Sequence, residues 1–139
     1  MIERDYSFGV IPLRVKGNDW EVYMVQHRSG HWTFPKGHPE GEESPLDAAM
    51  RELKEETALR LIRFFGLPPL LEHYSFRRKG GGEIRKTVTY FLGTVEGEAD
   101  IERDELKDGR WVPLTEAADL ATFPEGKSTC RSAVLLILG

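Results

Sequence analysis

Two hydrophobic periods alternate along the chain. Tyr6–Val15 is dense in β-branched and aromatic residues, and Trp20–Gln26 resumes that composition after the turn signal Lys16-Gly17-Asn18-Asp19. Such residues fit a pleated, half-buried surface, so the two runs predict a hairpin. Ser29-Gly30 breaks it, and Trp32-Thr33-Phe34-Pro35 predicts a short extended segment. Leu61–Phe65 predicts another short strand. Leu70–Lys79 and Glu83–Val95 predict a second, longer hairpin around Gly80-Gly81-Gly82, and Gly109–Pro113 predicts a last strand.

Between these strands the period changes to that of a helix. Lys36–Glu43 is a loop with two glycines and a proline. Ser44 is a candidate N-cap, Pro45 sits at the first helical position, and Asp47 follows three residues after the cap. Leu46, Ala49, Met50, Leu53 and Thr57 recur at three- and four-residue spacing and predict an inward face. Glu52 and Glu56 border that face and Glu55 lies farther out, which puts the carboxylates at a rim between core and solvent. Thr115–Ala121 and Glu125–Leu138 predict helices, the second apolar enough at its end, from Ala133 to Leu138, to pack on the sheet. The expectation is one α+β domain over residues 1–139, a mixed sheet sandwiched between helices.

Composition narrows the function classes. With 139 residues there is one core and not two. The longest apolar run, Ala133–Leu138, is far too short for a bilayer span, so no membrane partner is expected. A single cysteine, Cys130, excludes an internal disulfide, and the N-terminus lacks signal-peptide architecture; both lead us to expect a cytoplasmic protein. The net charge of −4 argues against a dedicated nucleic-acid partner. One basic cluster remains, Arg77, Arg78, Lys79, Arg85 and Lys86 around the triple glycine. An acidic chain with one basic patch and one acidic helix suits a small polyanion held against a metal.

The candidate chemistry lies in Gly37–Leu59. Glu52, Glu55 and Glu56 stand at i, i+3 and i+4, on one helical face. Like charges at this spacing repel, and clustered carboxylate oxygens are the ligands of hard divalent ions. The run adds Gly37, Glu43 and Arg51 at fixed offsets, giving Gly-x5-Glu-x7-Arg-Glu-x2-Glu-Glu. This resembles the box of the Nudix hydrolases, in which a loop–helix–loop packs on a mixed sheet. The resemblance implies that Glu52 and Glu56 are the principal metal ligands, that Glu55 is a third ligand or a base, and that the Gly37 carbonyl completes the shell. It implies a catalytic supporting role for Arg51, paired with Glu43, and Mg2+ as the cofactor, with Mn2+ as the alternative. Ala58 departs from the family pattern, which has glycine there; the helix is then expected to continue to Leu59.

The flanks resemble the asymmetric diadenosine tetraphosphate hydrolases, through Trp32-Thr33-Phe34-Pro35-Lys36-Gly37-His38, Tyr6–Pro12 and Lys86–Leu92. That resemblance implies a dinucleoside polyphosphate substrate, with Lys36 and His38 near its phosphates and Glu105 as a further metal-binding or water-activating carboxylate. Adenine needs a flat partner: Tyr90 is the first candidate and Tyr74 the second. Lys79 and Arg85, with Arg78, are candidates for distal phosphates. The box alone fits other substrates too: capped RNA 5′ ends, diphosphoinositol polyphosphates or damaged nucleoside triphosphates. A nucleotide sensor without turnover shares the fold. Either a monomer or a homodimer is compatible with the sequence.

Overall fold

A computed structural model describes all residues from Met1 to Gly139. Its strands are β1 (Ile2–Lys16), β2 (Asp19–His27), β3 (Trp32–Thr33), β4 (Lys36–Gly37), β5 (Arg60–Phe64), β6 (Leu70–Arg77), β7 (Glu83–Glu96) and β8 (Leu106–Pro113). The helices are α1 (Pro45–Thr57), α2 (Ala117–Leu120) and α3 (Pro124–Leu138), with a 3₁₀ turn at Leu114–Glu116 ahead of α2. None is long and apolar enough to cross a membrane.

Both predicted hairpins form. β1 and β2 pair antiparallel from Leu13↔Val22 to Lys16↔Asp19, and β6 and β7 pair from Leu70↔Tyr90 to Arg77↔Glu83. The central pairing, however, joins distant segments: β1 runs parallel to β7 from Ile2↔Glu83 to Leu13↔Thr94. This ladder makes the sheet mixed, in the order β3-β2-β1-β7-β5, with β4 on β1, β6 on β7 and β8 on β2. β4 lies in what the sequence predicts as loop.

Alternation along the strands sends neighbours to opposite faces. Ile11, Val22 and Met24 join Val88, Tyr90, Leu92 and the α3 residues Cys130 and Ala133 in one core cluster. Val10, Tyr23 and Val25 join Ala49 and Leu53 of α1 in the other. The sheet is thus covered by α1 on one face and by α2 and α3 on the other.

Three local expectations are corrected. Met50 is 37% exposed rather than inward, and Ala48 takes its place in the core. The apolar end of α3 packs only in part, since Leu135, Leu136 and Leu138 are exposed. The box helix does not continue to Leu59. Ala58 adopts φ 63°, the left-handed region, and its N–H donates to the Lys54 carbonyl at 2.9 Å. Leu59 is fully buried, which requires the chain to turn here into the core even without glycine.

Candidate active site

The box helix starts as its sequence predicts. Ser44 Oγ accepts from the Asp47 N–H at 3.2 Å, and Pro45 occupies the first turn. Ahead of it, β4 is laid against β1 by the pairs Phe8↔Gly37 and Gly9↔Lys36. Two glycines permit this approach. A Cβ on Gly9 would fall 2.2 Å from the Pro35 carbonyl oxygen, and one on Gly37 would fall 2.1 Å from Glu52 Cδ. Close contact, not backbone conformation, explains glycine at both positions.

Arg51 organises the carboxylates. It pairs bidentately with Glu43, Nε to Oε2 at 2.8 Å and Nη2 to Oε1 at 3.0 Å. Its Nη1 donates to Glu52 and Glu55, each at 3.0 Å, and Nη2 also reaches the His38 carbonyl at 2.9 Å. The hydrogen bonds from Arg51 hold the Glu43 carboxyl below the usual carboxylate range. They push the Arg51 pKa further up, which secures a cation already protonated at any accessible pH.

Glu56 is not at the rim. It is only 7% exposed and accepts from the Lys36 backbone N–H at 3.1 Å. Burial raises its carboxyl to about 9; Lys36 opposes the rise and Glu52 adds to it. Lys36 itself is driven down by burial and by Lys86, against the pull of Glu56, Glu72 and Glu52.

These groups line a polar cleft of about 480 Å³ with no hydrophobic residue in its wall. Lys36, Gly37, His38, Glu52, Glu55, Glu56 and Glu105 all border it. Glu105 arrives on the 97–105 segment, which is strapped to the end of α1: the Asp100 and Glu102 N–H groups donate to the Thr57 and Glu56 carbonyls at 2.9 Å each. The Glu102 carboxylate in turn accepts from the Asp104 N–H at 2.5 Å. His38 Nε2 lies 2.8 Å from Asp5 Oδ1, at the open side. As they lie, no three His, Cys, Asp or Glu side chains form a closed ion cage, and one oxygen each of Glu52 and Glu55 is engaged by Arg51.

Lys36 and Lys86 also border a second cavity of about 280 Å³. Its other walls are His31, Thr33, Tyr74, Phe76, Val88 and Phe123. The His31 and Phe123 ring centroids are 5.2 Å apart, and those of Phe123 and Tyr74 are 6.3 Å apart at 75°. His27 stacks on His31 at 4.3 Å and faces the polar cleft. The Thr33 hydroxyl donates to the Phe34 carbonyl, so its oxygen accepts from His27 Nε2 at 3.1 Å. Burial, Lys36 and His31 lower the His27 pKa to about 4, which leaves the ring neutral.

Three of the predicted substrate residues lie elsewhere. Tyr90 is fully buried, packs edge-on against Phe34 at 5.5 Å and lines neither cavity, so no base can stack on it. Lys79 is exposed at the hairpin tip and Arg85 points away toward Glu83, at 3.4 Å. Lys86 lines the cleft in their stead. It shares a strand face with Val88 and Tyr90, and a one-residue shift along β7 reverses the face. That alternation was the available signal. For His27, His31 and Phe123 no local signal exists, because β2, the β2–β3 turn and the start of α3 meet only in the folded chain.

A model of the NUDIX domain matches residues 3–131. The asymmetrical bis(5′-nucleosyl)-tetraphosphatase of Rattus norvegicus is 36% identical over 126 residues, which cover 85% of this chain and 81% of the rat protein. An RNA pyrophosphohydrolase of a Nitratiruptor species is 33% identical over 100 residues, 66% of this chain and 64% of that one. A crystal structure of a C. elegans Ap4A hydrolase binary complex superposes with a TM-score of 0.72 at 24% identity, covering 97% of this chain and 98% of that one. With the domain matched over most of its length and the box folded as a loop–helix–loop on a mixed sheet, this chain belongs to the Nudix hydrolase family.

Proposed function

We propose that this Nudix hydrolase cleaves dinucleoside polyphosphates, taking diadenosine tetraphosphate to ATP and AMP. One observation carries the reading: the acidic, lysine-bordered cleft opens beside an aromatic cavity, and the same two lysines border both. A polyphosphate with a base at its end matches that pairing of surfaces. The rat relative named for this substrate class supports it.

The donor set fits a hard divalent ion. Glu52, Glu55, Glu56 and the Gly37 carbonyl offer only oxygen, and the bare Cα of Gly37 lets that strand approach Glu52. These four would hold Mg2+, with Mn2+ as the alternative. When bound, such an ion supplies charge neutralisation at the phosphates and Lewis acidity toward water. Lys36 and Lys86 bind phosphate oxygens as compact cations. His38, at the open side, donates to the outer phosphates. Arg51 orients Glu52 and Glu55 without touching substrate. Glu105 is the general base: Arg51 occupies an oxygen of Glu55, whereas Glu105 faces the cleft from a segment fixed at its backbone. Water adds to phosphorus, its proton passes to the Glu105 carboxylate, and the bond to the bridging oxygen breaks. Tyr74 and Phe123 receive a base by their ring faces.

Chromatography of the products from purified protein, diadenosine tetraphosphate and magnesium tests the proposal. Equal ATP and AMP are expected. Two ADP would refute asymmetric cleavage. Faster turnover of 5′-triphosphorylated RNA or of 8-oxo-dGTP would move the substrate assignment to those classes.

A further inference from the structure

Behind the aromatic cavity lies a carboxylate that the proposed chemistry does not use. Glu72 of β6 is only 4% exposed and forms no salt bridge. Burying a charged group without compensation is costly, so its neighbours explain why it is kept. Glu72 Oε1 accepts a hydrogen bond from the Tyr74 hydroxyl at 2.5 Å. Residues 72 and 74 share a face of β6, and Tyr74 reaches back along the strand to make this bond. The other carboxylate oxygen faces the first turn of α3, where a methyl on Gly126 would stand 4.0 Å from it. That turn has no side-chain cap, because its N-cap residue is Phe123. A carboxylate is favoured beside such free N–H groups and the positive end of the helix.

Glu72 therefore bonds to one of the rings that flank the cavity and stands beside the helix turn that carries the other. It holds Tyr74 directly by the hydroxyl. It also lies against the turn of α3 that begins at Phe123. Glu72, Tyr74, Phe123 and Gly126 together line a small void of about 10 Å³ just behind the cavity, so little space exists for either ring to retreat.

We infer that Glu72 is a positioning residue for base binding: its buried carboxylate fixes the Tyr74 ring in its edge contact with Phe123 and so sets the cavity wall against which a planar base lies. The inference rests on the proposed use of the cavity and adds a residue that does not touch substrate. It predicts that loss of Glu72 weakens base binding while the phosphate chemistry continues. It also predicts that Glu72 acts through the Tyr74 hydroxyl and not independently of it.

The test combines Glu72→Gln, Glu72→Leu, Tyr74→Phe and the double variant Glu72→Leu/Tyr74→Phe. Readouts are KM and kcat for diadenosine tetraphosphate, and binding of AMP by calorimetry with the metal chelated. Glu72→Leu should raise KM and weaken AMP binding about tenfold, the scale of a lost hydrogen bond to a charged group, with kcat within about twofold of wild type. Glu72→Gln should recover part of the loss, since its amide oxygen still accepts from Tyr74. The double variant should lose no more than Tyr74→Phe alone, the non-additivity of two groups that act as one. If Glu72→Leu does not fold, Glu72→Gln and Tyr74→Phe carry the test, and they should show the same KM-selective loss. Unchanged KM and AMP binding in the Glu72 variants overturns the inference, as does a loss in the Tyr74→Phe background as large as in wild type. A wild-type protein that binds no AMP and cleaves no dinucleoside polyphosphate refutes instead the use of the cavity for a base.

Discussion

The polar cleft is walled mostly by charged and polar residues, and more than half come from one short stretch: Lys36, Gly37, His38, Glu40, Glu52, Glu55 and Glu56 lie on β4, α1 and the loop between them. In the aromatic cavity the walls are His31, Tyr74, Phe76 and Phe123, drawn from the β2–β3 turn, β6 and the start of α3. Electrostatic geometry within one helix and its loop is set by local spacing. A cavity of rings is set by how distant elements pack. The first arrangement is stiffened by five hydrogen bonds from a single guanidinium, the second by ring contacts and one half-buried hydroxyl bond. Chemistry is therefore expected to fail sharply when the cleft is altered, and recognition to weaken by degrees when the cavity is.

The largest effect should come from Glu56→Gln. It keeps the shape that accepts the Lys36 N–H but removes a charged oxygen donor. Turnover should fall at least roughly a hundredfold, about 3 kcal/mol of transition-state stabilisation, with unchanged circular dichroism. Turnover near wild type at saturating magnesium would remove Glu56 from the metal site. The same variant has a signature without metal. The folded-state pKa of Glu56, about 9, lies above its ordinary 4.5, so the folded protein binds the extra proton. Its contribution to stability is full below pH 4.5 and is lost as pH rises toward 9. Under chelation, wild-type Tm should therefore fall relative to Glu56→Gln across that window.

Next in size are Lys36→Ala and Tyr74→Ala, which divide the comparison at its shared border. Lys36 borders both cavities, so its loss should cost about 1.5–3 kcal/mol, or roughly ten- to a hundredfold in kcat/KM. Tyr74→Ala should raise KM with kcat little changed. Steady-state kinetics on substrates with and without a second base separates the two. A kcat loss in Tyr74→Ala equal to that in Glu56→Gln would mean that the regions do not act separately.

The box was legible because its chemistry is written at fixed offsets on one helix. Ser44 as cap, the Arg51–Glu43 pair and the clustering of Glu52, Glu55 and Glu56 on the cleft are all local consequences of spacing. Both hairpins were legible for the same reason. The parallel β1–β7 ladder was not, since it joins residues some eighty positions apart in sequence. Without that ladder, strand alternation near Lys86 could not be tied to a side of the fold, and the sequence points to Arg85 instead. Tyr90 shows the limit most clearly. Its composition is right for a base partner, but only packing distinguishes a core tyrosine from a cavity tyrosine.

A smaller effect is expected at the end of the box helix. Ala58 is the only non-glycine residue with positive φ, at 63°. Its Cβ is strained there by about 1 kcal/mol, which glycine relieves. Ala58→Gly should raise the Tm by a few degrees and leave kcat within twofold, because Ala58 borders neither cavity. A lower Tm would mean that the left-handed turn is not strained.

The smallest effect on activity should come from Tyr90→Phe, which tests a core ring that borders neither region. Tyr90 is completely buried, and its hydroxyl is a buried side-chain oxygen without a hydrogen-bond partner. Burial is the main reason its pKa is raised well above 10, and the carboxylates of both regions, Glu72 and Glu56, add to the rise. The ring fills space beside Phe34 and closes against Gly9, where a Cβ would stand 2.8 Å from it. Phenylalanine keeps that packing and removes the unpaired oxygen. Stability should be unchanged or higher by about 1 kcal/mol, since an unsatisfied buried polar group costs on that order. KM for diadenosine tetraphosphate should match wild type, in contrast to Tyr74→Ala. A raised KM with unchanged Tm would give the Tyr90 hydroxyl a part in recognition and join the two regions into one.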